Sequence, residues 1–360
     1  MRVVVVGAGV AGASVAYHAS RLGAETVLVD RDSPGQATAA GAGIVCPWTS
    51  SITSPVWHGL ADAAVAHYRE LLDDIGDTGD IGYRRVGALR LAADDTVREH
   101  VTRWAAGSRD AGEISVLTGE EAGALFPPLR GDVPALHVAG AARVDGRLLR
   151  DALRRAAVRN GALFVSARAA LVADRDRIVG VDVDGERIGA DAVVVAAGAW
   201  CPELLDPVGV RVPVAPQRGQ ITHLRMSGVD TKAWPVVLPP GGHYLLAFDD
   251  GRVVVGATRE TGSGFDYRVT AAGQTEVLTQ ALAVAPGLAD AEVLETRVGF
   301  RPAGPDDLPL LGTVRDGLTV LTGLGPTGLT LGPYTGRLAA LLALGEDPGV
   351  DVTPFDPTRA

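Results

Sequence analysis

Three features of the sequence predict an α/β chain with a second, mixed-sheet unit, an α+β two-domain architecture. The opening residues MRVVVVGAGVAGASVAYHASRLGAETVLVD read as strand, glycine turn, helix and strand. A strand, glycine turn and helix recur near the C-terminus, in LTVLTGLGPTGLTLGPYTGRLAALLALG. From Val212 the pattern changes to short alternating segments, QITHLRM, PVVLPP, HYLLAF and RVVVGAT, separated by Gly, Pro and Asp-Gly turns, which predicts an antiparallel sheet. A chain of 360 residues exceeds what one core usually holds, so two units sharing a cleft are expected.

The opening unit carries the most specific pattern. Val3 to Val6 form an uninterrupted β-branched run, the composition of a parallel strand buried on both faces. Gly7, Gly9 and Gly12 follow at once. The first allows a tight turn, the second lets a pyrophosphate approach the backbone, and the third lets the helix pack close to the strand. Val10 and Ala11 lie in the first helical turn, whose unpaired N–H groups and positive dipole end suit an anion. Gly23 stops the helix, and Thr26 to Val29 return as a strand ending at Asp30. Asp30 lies 18 residues after Gly12, where a carboxylate accepts hydrogen bonds from a ribose diol, and Arg31 follows it beside the same site. An acid there repels a 2′-phosphate, which leaves NAD or FAD as the dinucleotide.

Composition narrows the partners. A net charge of −10 offers no basic footprint for nucleic acid and disfavours anionic membranes. Cys46 and Cys201 are far apart in sequence, which implies neither a disulfide framework nor a zinc site and suits a reducing compartment. The seven histidines are scattered, with no metal-ligand spacing. Met1 leads straight into a strand, and no apolar run reaches membrane-spanning length, so a cytoplasmic protein is expected.

After Asp30, the stretch from Ser33 to Ser54 holds no charged residue. Exposed loops usually carry charge, so a bound cofactor is expected to cover this one. A dinucleotide glycine motif, an acid closing the second strand and the small-residue run Thr38, Ala39, Ala40 and Gly41, with Gly43 beyond it, together resemble the D-amino-acid oxidase family of flavoproteins, which includes glycine and sarcosine oxidases. The resemblance selects FAD and implies that this loop passes the ribityl chain and isoalloxazine.

Further along, residues 58–74 carry apolar positions at helical spacing, and residues 81–93 read as strands around Gly87. Residues 94–125 read as a helical stretch followed by the capped short helix TGEEAGALFP. Asp145 precedes a crossover helix with the apolar stripe Leu148, Leu149, Leu153, Ala156 and Ala157, and Ala192 to Ala196 return as a strand ending in Ala-Gly. The family resemblance implies that Ala170 packs on the adenine and that Ala197 and Gly198 approach the cofactor. The turn at 249–252 predicts a hairpin that sets Tyr244 and Leu246 against Val253 and Val255, and residues 270–286 add a helix. The expected division is an FAD-binding unit of residues 1–79, 141–211 and 293–360 and a substrate-binding unit of 80–140 and 212–292.

The C-terminal part is where the resemblance is closest: GFRP at 299–302, the acidic pair Asp306 and Asp307, and PLLG at 309–312 match the family's pattern. A strand from Leu318 to Leu321 leads to a glycine turn, and a helix is expected from Tyr334 to Leu344. Gly323, Gly325, Thr327, Gly328, Leu329 and Thr330 lie in the turn, whose backbone N–H groups and following helix dipole suit the flavin pyrimidine edge. The resemblance implies that Arg301 fixes a substrate carboxylate, for which a planar guanidinium has the bidentate geometry, and that Tyr244 stands near the same carboxylate. His243 is expected on the opposite face of its strand.

Some positions depart from the family. Leu324 and Pro326 stand where some relatives have another cation, leaving Arg301 as a lone guanidinium. Val254 aligns with the lysine that sarcosine oxidases use for oxygen activation, which favours a dehydrogenase over an oxidase. No C-terminal cysteine matches the one that tethers flavin covalently, so FAD is expected to be non-covalent, with Cys46 a small buried residue. The implied function is oxidation of the C–N bond of a small amino acid or secondary amine, of the glycine, sarcosine or D-amino acid type, with hydride passing to the flavin and an unknown acceptor taking the electrons. The alternatives are a 2-hydroxy acid dehydrogenase, which wants a base at the site, and a non-catalytic dinucleotide-binding protein of the same fold.

Overall fold

The computed structural model describes residues 1–75 and 79–359. A six-stranded sheet has the order Leu310–Arg315, Leu318–Thr322, Ala192–Val195, Arg2–Val6, Glu25–Asp30, Leu163–Ser166. All neighbours are parallel except the edge pair Leu310–Arg315 and Leu318–Thr322. Val3, Val4 and Val5 are fully buried, as a strand covered on both faces requires. The helices Val10–Arg21, Gly146–Arg159 and Gly328–Leu344 pack together beside this sheet. Asp145 caps the second of them, accepting from the N–H groups of Arg147 at 3.0 Å and Leu148 at 3.2 Å. Leu148 itself is 43% exposed, so the buried stripe of this helix is Leu149, Ala152, Leu153, Ala156 and Ala157.

The C-terminal helix begins at Gly328, earlier than the expected Tyr334, and carries Pro333 within it. Proline there lacks the N–H that would bond the Leu329 carbonyl four residues back. The Tyr68 hydroxyl donates to that carbonyl instead, and the Pro333 carbonyl accepts from Ser14 Oγ at 2.6 Å. Tertiary contacts therefore satisfy what local propensity forbids. Tyr68→Phe is expected to destabilise the protein by about 1–3 kcal/mol by leaving a buried carbonyl unpaired. Chemical denaturation measures this, and an unchanged midpoint would show that the contact contributes nothing.

The second sheet has nine strands in mixed orientation. Along it run Glu260–Thr261, Ala215–Arg225, Arg252–Gly256, Tyr244–Ala247, Val236–Leu238, Ala88–Leu91, Ala135–Val138 and Ile114–Leu117, and Glu292–Ala303 also pairs with Ala215–Arg225. The pairing of Val236–Leu238 with Ala88–Leu91 is parallel. This last long strand carries the sheet past the expected boundary at residue 293. Ile114–Leu117 and Ala135–Val138 are strands that local pattern did not announce, since each has only four residues and gains its ladder from neighbours distant in sequence. The short helix Gly119–Leu125 has the expected cap, a reciprocal pair between Thr118 and Glu121. The hairpin at 249–252 forms with Tyr244 opposite Gly256 and Leu246 opposite Val254, one residue from the expected pairing with Val253 and Val255.

His223 is buried in this sheet beside Arg252, Arg297, Arg147 and Glu295. Burial, reinforced by the neighbouring arginines, lowers its pKa from 6.5 to about 3. The folded state thus favours the neutral ring, and the unfolded chain takes up the proton first as pH falls below 6.5. Stability is expected to fall from pH 6.5 towards pH 4.5 with a contribution from this group of up to about 1.4 kcal/mol per unit. Burial likewise lowers the pKa of His18 and His67, so the test is the difference in slope: thermal melts of His223→Gln should show a flatter acid limb than the parent. Equal slopes would remove His223 from the account.

Candidate active site

The elements converge on one cleft where the ends of the parallel strands meet a face of the nine-stranded sheet. Its dinucleotide side is built of glycine and alanine because larger residues would not fit. A Cβ at Gly7, where φ is +105°, would lie 2.5 Å from the Ala196 carbonyl oxygen, and one at Gly12 would lie 1.8 Å from that of Gly7. Gly12 does not line the cleft but lets the helix close on the turn. Thr38 Oγ1 accepts from Val10 N–H at 3.0 Å, which leaves the Ala11 and Gly12 N–H groups as donors of the first turn without a protein partner among the described residues. This is the donor set of an anion cradle.

Asp30 sits at the cleft wall and organises the turn around it. One carboxylate oxygen accepts from Ala8 N–H. The other accepts from Asp32 N–H at 2.5 Å and Gln36 Nε2 at 3.1 Å. Arg31 pairs with Glu203 at 3.0 Å and lies over the Trp200 ring, 5.7 Å from its centroid. Trp200 stacks in turn on Phe265 at 4.8 Å. Trp200 and Glu203 line the cleft but carried no signal in the sequence, since their relevance depends on where the chain after Gly198 turns.

Gly9, Ala40, Gly41, Gly43, Ala170, Ala197, Gly198, Gly325, Gly328 and Leu329 line the same cleft. Ala39, Gly323, Thr327 and Thr330 do not, each for a visible reason. The Ala39 carbonyl is held by Arg147 Nε at 3.0 Å and Arg297 Nη1 at 3.4 Å. Gly323 packs on Leu310, Thr327 Oγ1 bonds its own turn at Leu324, and Thr330 Oγ1 donates to the Ile44 carbonyl at 3.1 Å. Leu324 and Pro326 line the cleft in their place.

The other wall is the sheet. Gly219 and Gly299 are register partners, and both face inward. A Cβ at Gly219 would lie 2.5–2.7 Å from the Arg301 guanidinium, and one at Gly299 would lie 2.7 Å from the Ala40 Cβ. Strand glycines mark such close approach, and here they seat an arginine and the cofactor-side loop. Arg301 Nη1 donates to the Thr258 carbonyl at 3.1 Å. Asp306 is engaged by Arg359 at 2.8 Å, so it is not the partner of Arg301. Gly256 performs a similar service for Tyr244, since a Cβ there would come within 3.0 Å of the phenolic oxygen. Burial raises the Tyr244 pKa, and the charges of Arg301 and Arg259 pull it back. Desolvation lowers the Arg301 pKa, and Tyr244 opposes that. His243 points away from the cleft to Glu276, 3.7 Å distant. Arg259 also lines the cleft on this wall, a second cation there beside the lone guanidinium that the sequence implied.

Residues 2–342 match the FAD-dependent oxidoreductase family DAO. The chain belongs to that family. Iminodiacetate oxidase from Chelativorans sp. BNC1 is 48% identical, with 99% of each chain covered and a TM-score of 0.96. An uncharacterized oxidoreductase, YurR, of Bacillus subtilis (strain 168) is 45% identical over 99% of this chain and 98% of its own. Glycine oxidase of Pseudomonas aeruginosa is 34% identical over 99% of this chain and 98% of its own. The DAO-family protein is thus an FAD-dependent enzyme, and the small-residue cleft with its unpaired helical N–H groups and Asp30 carboxylate fits that dinucleotide. No helix among the described residues is long and apolar enough to cross a membrane.

Proposed function

We propose that the enzyme oxidises the C–N bond of a small amino acid or secondary amine that carries a carboxylate, giving an imine that water hydrolyses. The observation that carries this reading is the Arg301 guanidinium, laid flat on Gly219 at the cleft wall beside Tyr244. The relatives named for glycine and iminodiacetate support it, since both compounds contain a carboxymethylamine unit.

Bound FAD supplies the hydride acceptor. The chain's own task is placement. The Gly7–Gly12 turn and the free N–H groups at the start of its helix would hold the pyrophosphate, and Asp30 would take the ribose. The Thr38–Gly43 and Leu324–Leu329 segments, which contribute to the cleft lining, would flank the flavin. Neither Cys46 nor Cys201 lines the cleft, and burial raises their pKa values to about 11 and about 12, which supports non-covalent binding. Arg301 fixes the substrate carboxylate by charge-assisted bonds, and the Tyr244 hydroxyl orients it. A 2-hydroxy acid would want a base beside the reacting carbon. Among the described residues the only carboxylates lining the cleft are Asp30 and Glu203, on the dinucleotide side, and no histidine lines it, which supports the amine reading.

Anaerobic bleaching of the flavin by glycine, sarcosine, D-amino acids, proline and 2-hydroxy acids tests the reaction class whatever accepts the electrons later. Bleaching by a carboxylate-bearing amine is expected. Bleaching by 2-hydroxy acids alone would overturn the amine reading. Val254 is buried outside the cleft lining and offers no cation for oxygen activation. Slow reoxidation in air is therefore expected, with another acceptor in the reducing, cytoplasmic setting that two free thiols suit.

A further inference from the structure

Arg259 and Arg301 both line the substrate wall of the cleft with Tyr244 between their fields. Arg301 is held by the Thr258 carbonyl. Arg259 is exposed, lies against Gly242 so that a Cβ there would come 3.3 Å from its Nη2, and has no hydrogen-bond or ion-pair partner among the described residues. The adjacent Glu260 does not neutralise it. That carboxylate accepts from Arg218 at 2.5 Å, from Gln220 at 2.8 Å and from Thr258 at 2.7 Å. Both guanidinium groups therefore face the same cavity without an ion-pair partner among the described residues. Arg259 disfavours the charged form of Arg301, a repulsion that a single monocarboxylate relieves only once.

We propose that Arg259 binds a second substrate carboxylate, so that the preferred substrate is a secondary amine with a carboxylate on each of its two arms. This rests on the reading that Arg301 holds the first carboxylate and that the C–N bond between the arms is the one oxidised. Two guanidinium groups on separate elements, one seated and one reaching from the end of the strand Arg252–Gly256, suit two anionic ends of one small molecule. Arg259 is then a specificity determinant and takes no part in the redox step. Its position also explains why the C-terminal turn can carry Leu324 and Pro326: the second cation arrives from the sheet.

Two inert ethers separate binding from turnover. Oxydiacetate carries two carboxylates and methoxyacetate one, and neither contains an amine to oxidise. Calorimetric titration of the holoenzyme is expected to show oxydiacetate binding tighter by about tenfold or more, the order expected for an added charge-assisted contact. Arg259→Gln should erase that gap, and Arg259→Lys should retain part of it. In anaerobic bleaching, the preference for iminodiacetate over sarcosine should fall by a similar factor in Arg259→Gln. Equal binding of the two ethers by the parent, or a gap that survives Arg259→Gln, would overturn the proposal. Failure of the underlying reading looks different: no amine of either kind would bleach the parent enzyme.

Discussion

Arg301→Ala is expected to slow flavin bleaching by carboxylate-bearing amines by a factor on the order of 10²–10³, a loss of about 3–4 kcal/mol, while the spectrum of the bound flavin stays unchanged. The size follows from the setting. The guanidinium is half-buried and desolvated, and its protein hydrogen bonds go to the neutral Thr258 carbonyl and the Tyr244 side chain, so a carboxylate placed beside it gains a charge-assisted pair in a poorly hydrated site. Arg301→Lys keeps the charge but loses the planar fork and should fall between parent and alanine variant. Gly219→Ala gives an independent handle, because its Cβ would press on the guanidinium from 2.5 Å and displace it without removing it. Parental bleaching rates in Arg301→Ala would mean that the carboxylate is anchored elsewhere, with Arg259 then the first residue to examine.

The dinucleotide half of the molecule was legible because its constraints are local. Gly12 and Asp30 answer to contacts made within one βαβ unit, where a few residues fix packing and acid, and Gly7 adds a left-handed turn that closes on Ala196 of the neighbouring strand. The crossover and the capping pair Thr118–Glu121 were legible for the same reason. What escaped depends on partners distant in sequence. Pro333 reads as a helix stop until Tyr68 supplies the missing donor. Ile114–Leu117 gains strand character only from the ladder beside Ala135–Val138. Arg259 follows an apolar run that gives no hint of a ligand, and only the fold brings it to the same cavity as Arg301. The glycines at 219, 256 and 299 did offer a signal, since glycine inside a strand often marks a close approach. Their meaning became readable once Arg301, Tyr244 and Ala40 were seen filling the spaces they leave.

Asp30→Ala is expected to weaken FAD retention by about 1.5–3 kcal/mol, the cost of removing a charged acceptor from the ribose. The geometry adds a second consequence that the motif does not express. The same carboxylate satisfies Ala8 N–H, Asp32 N–H and Gln36 Nε2, and it holds Asp32 at φ +51°, a conformation that L residues seldom adopt unaided. Removing it should therefore lower the melting temperature of the apoprotein as well as its affinity for FAD. Asp30→Glu keeps a charged acceptor for the ribose but sets its oxygens one methylene too far out for these three donors. It should restore FAD binding more fully than it restores apoprotein stability. Measuring both quantities separates the roles: dialysis against apoprotein gives the affinity, and thermal melts of the apoprotein give the turn. If Asp30→Ala melted lower yet retained FAD as tightly as the parent, the carboxylate would serve the turn alone, and the ribose contact assigned to it would be wrong.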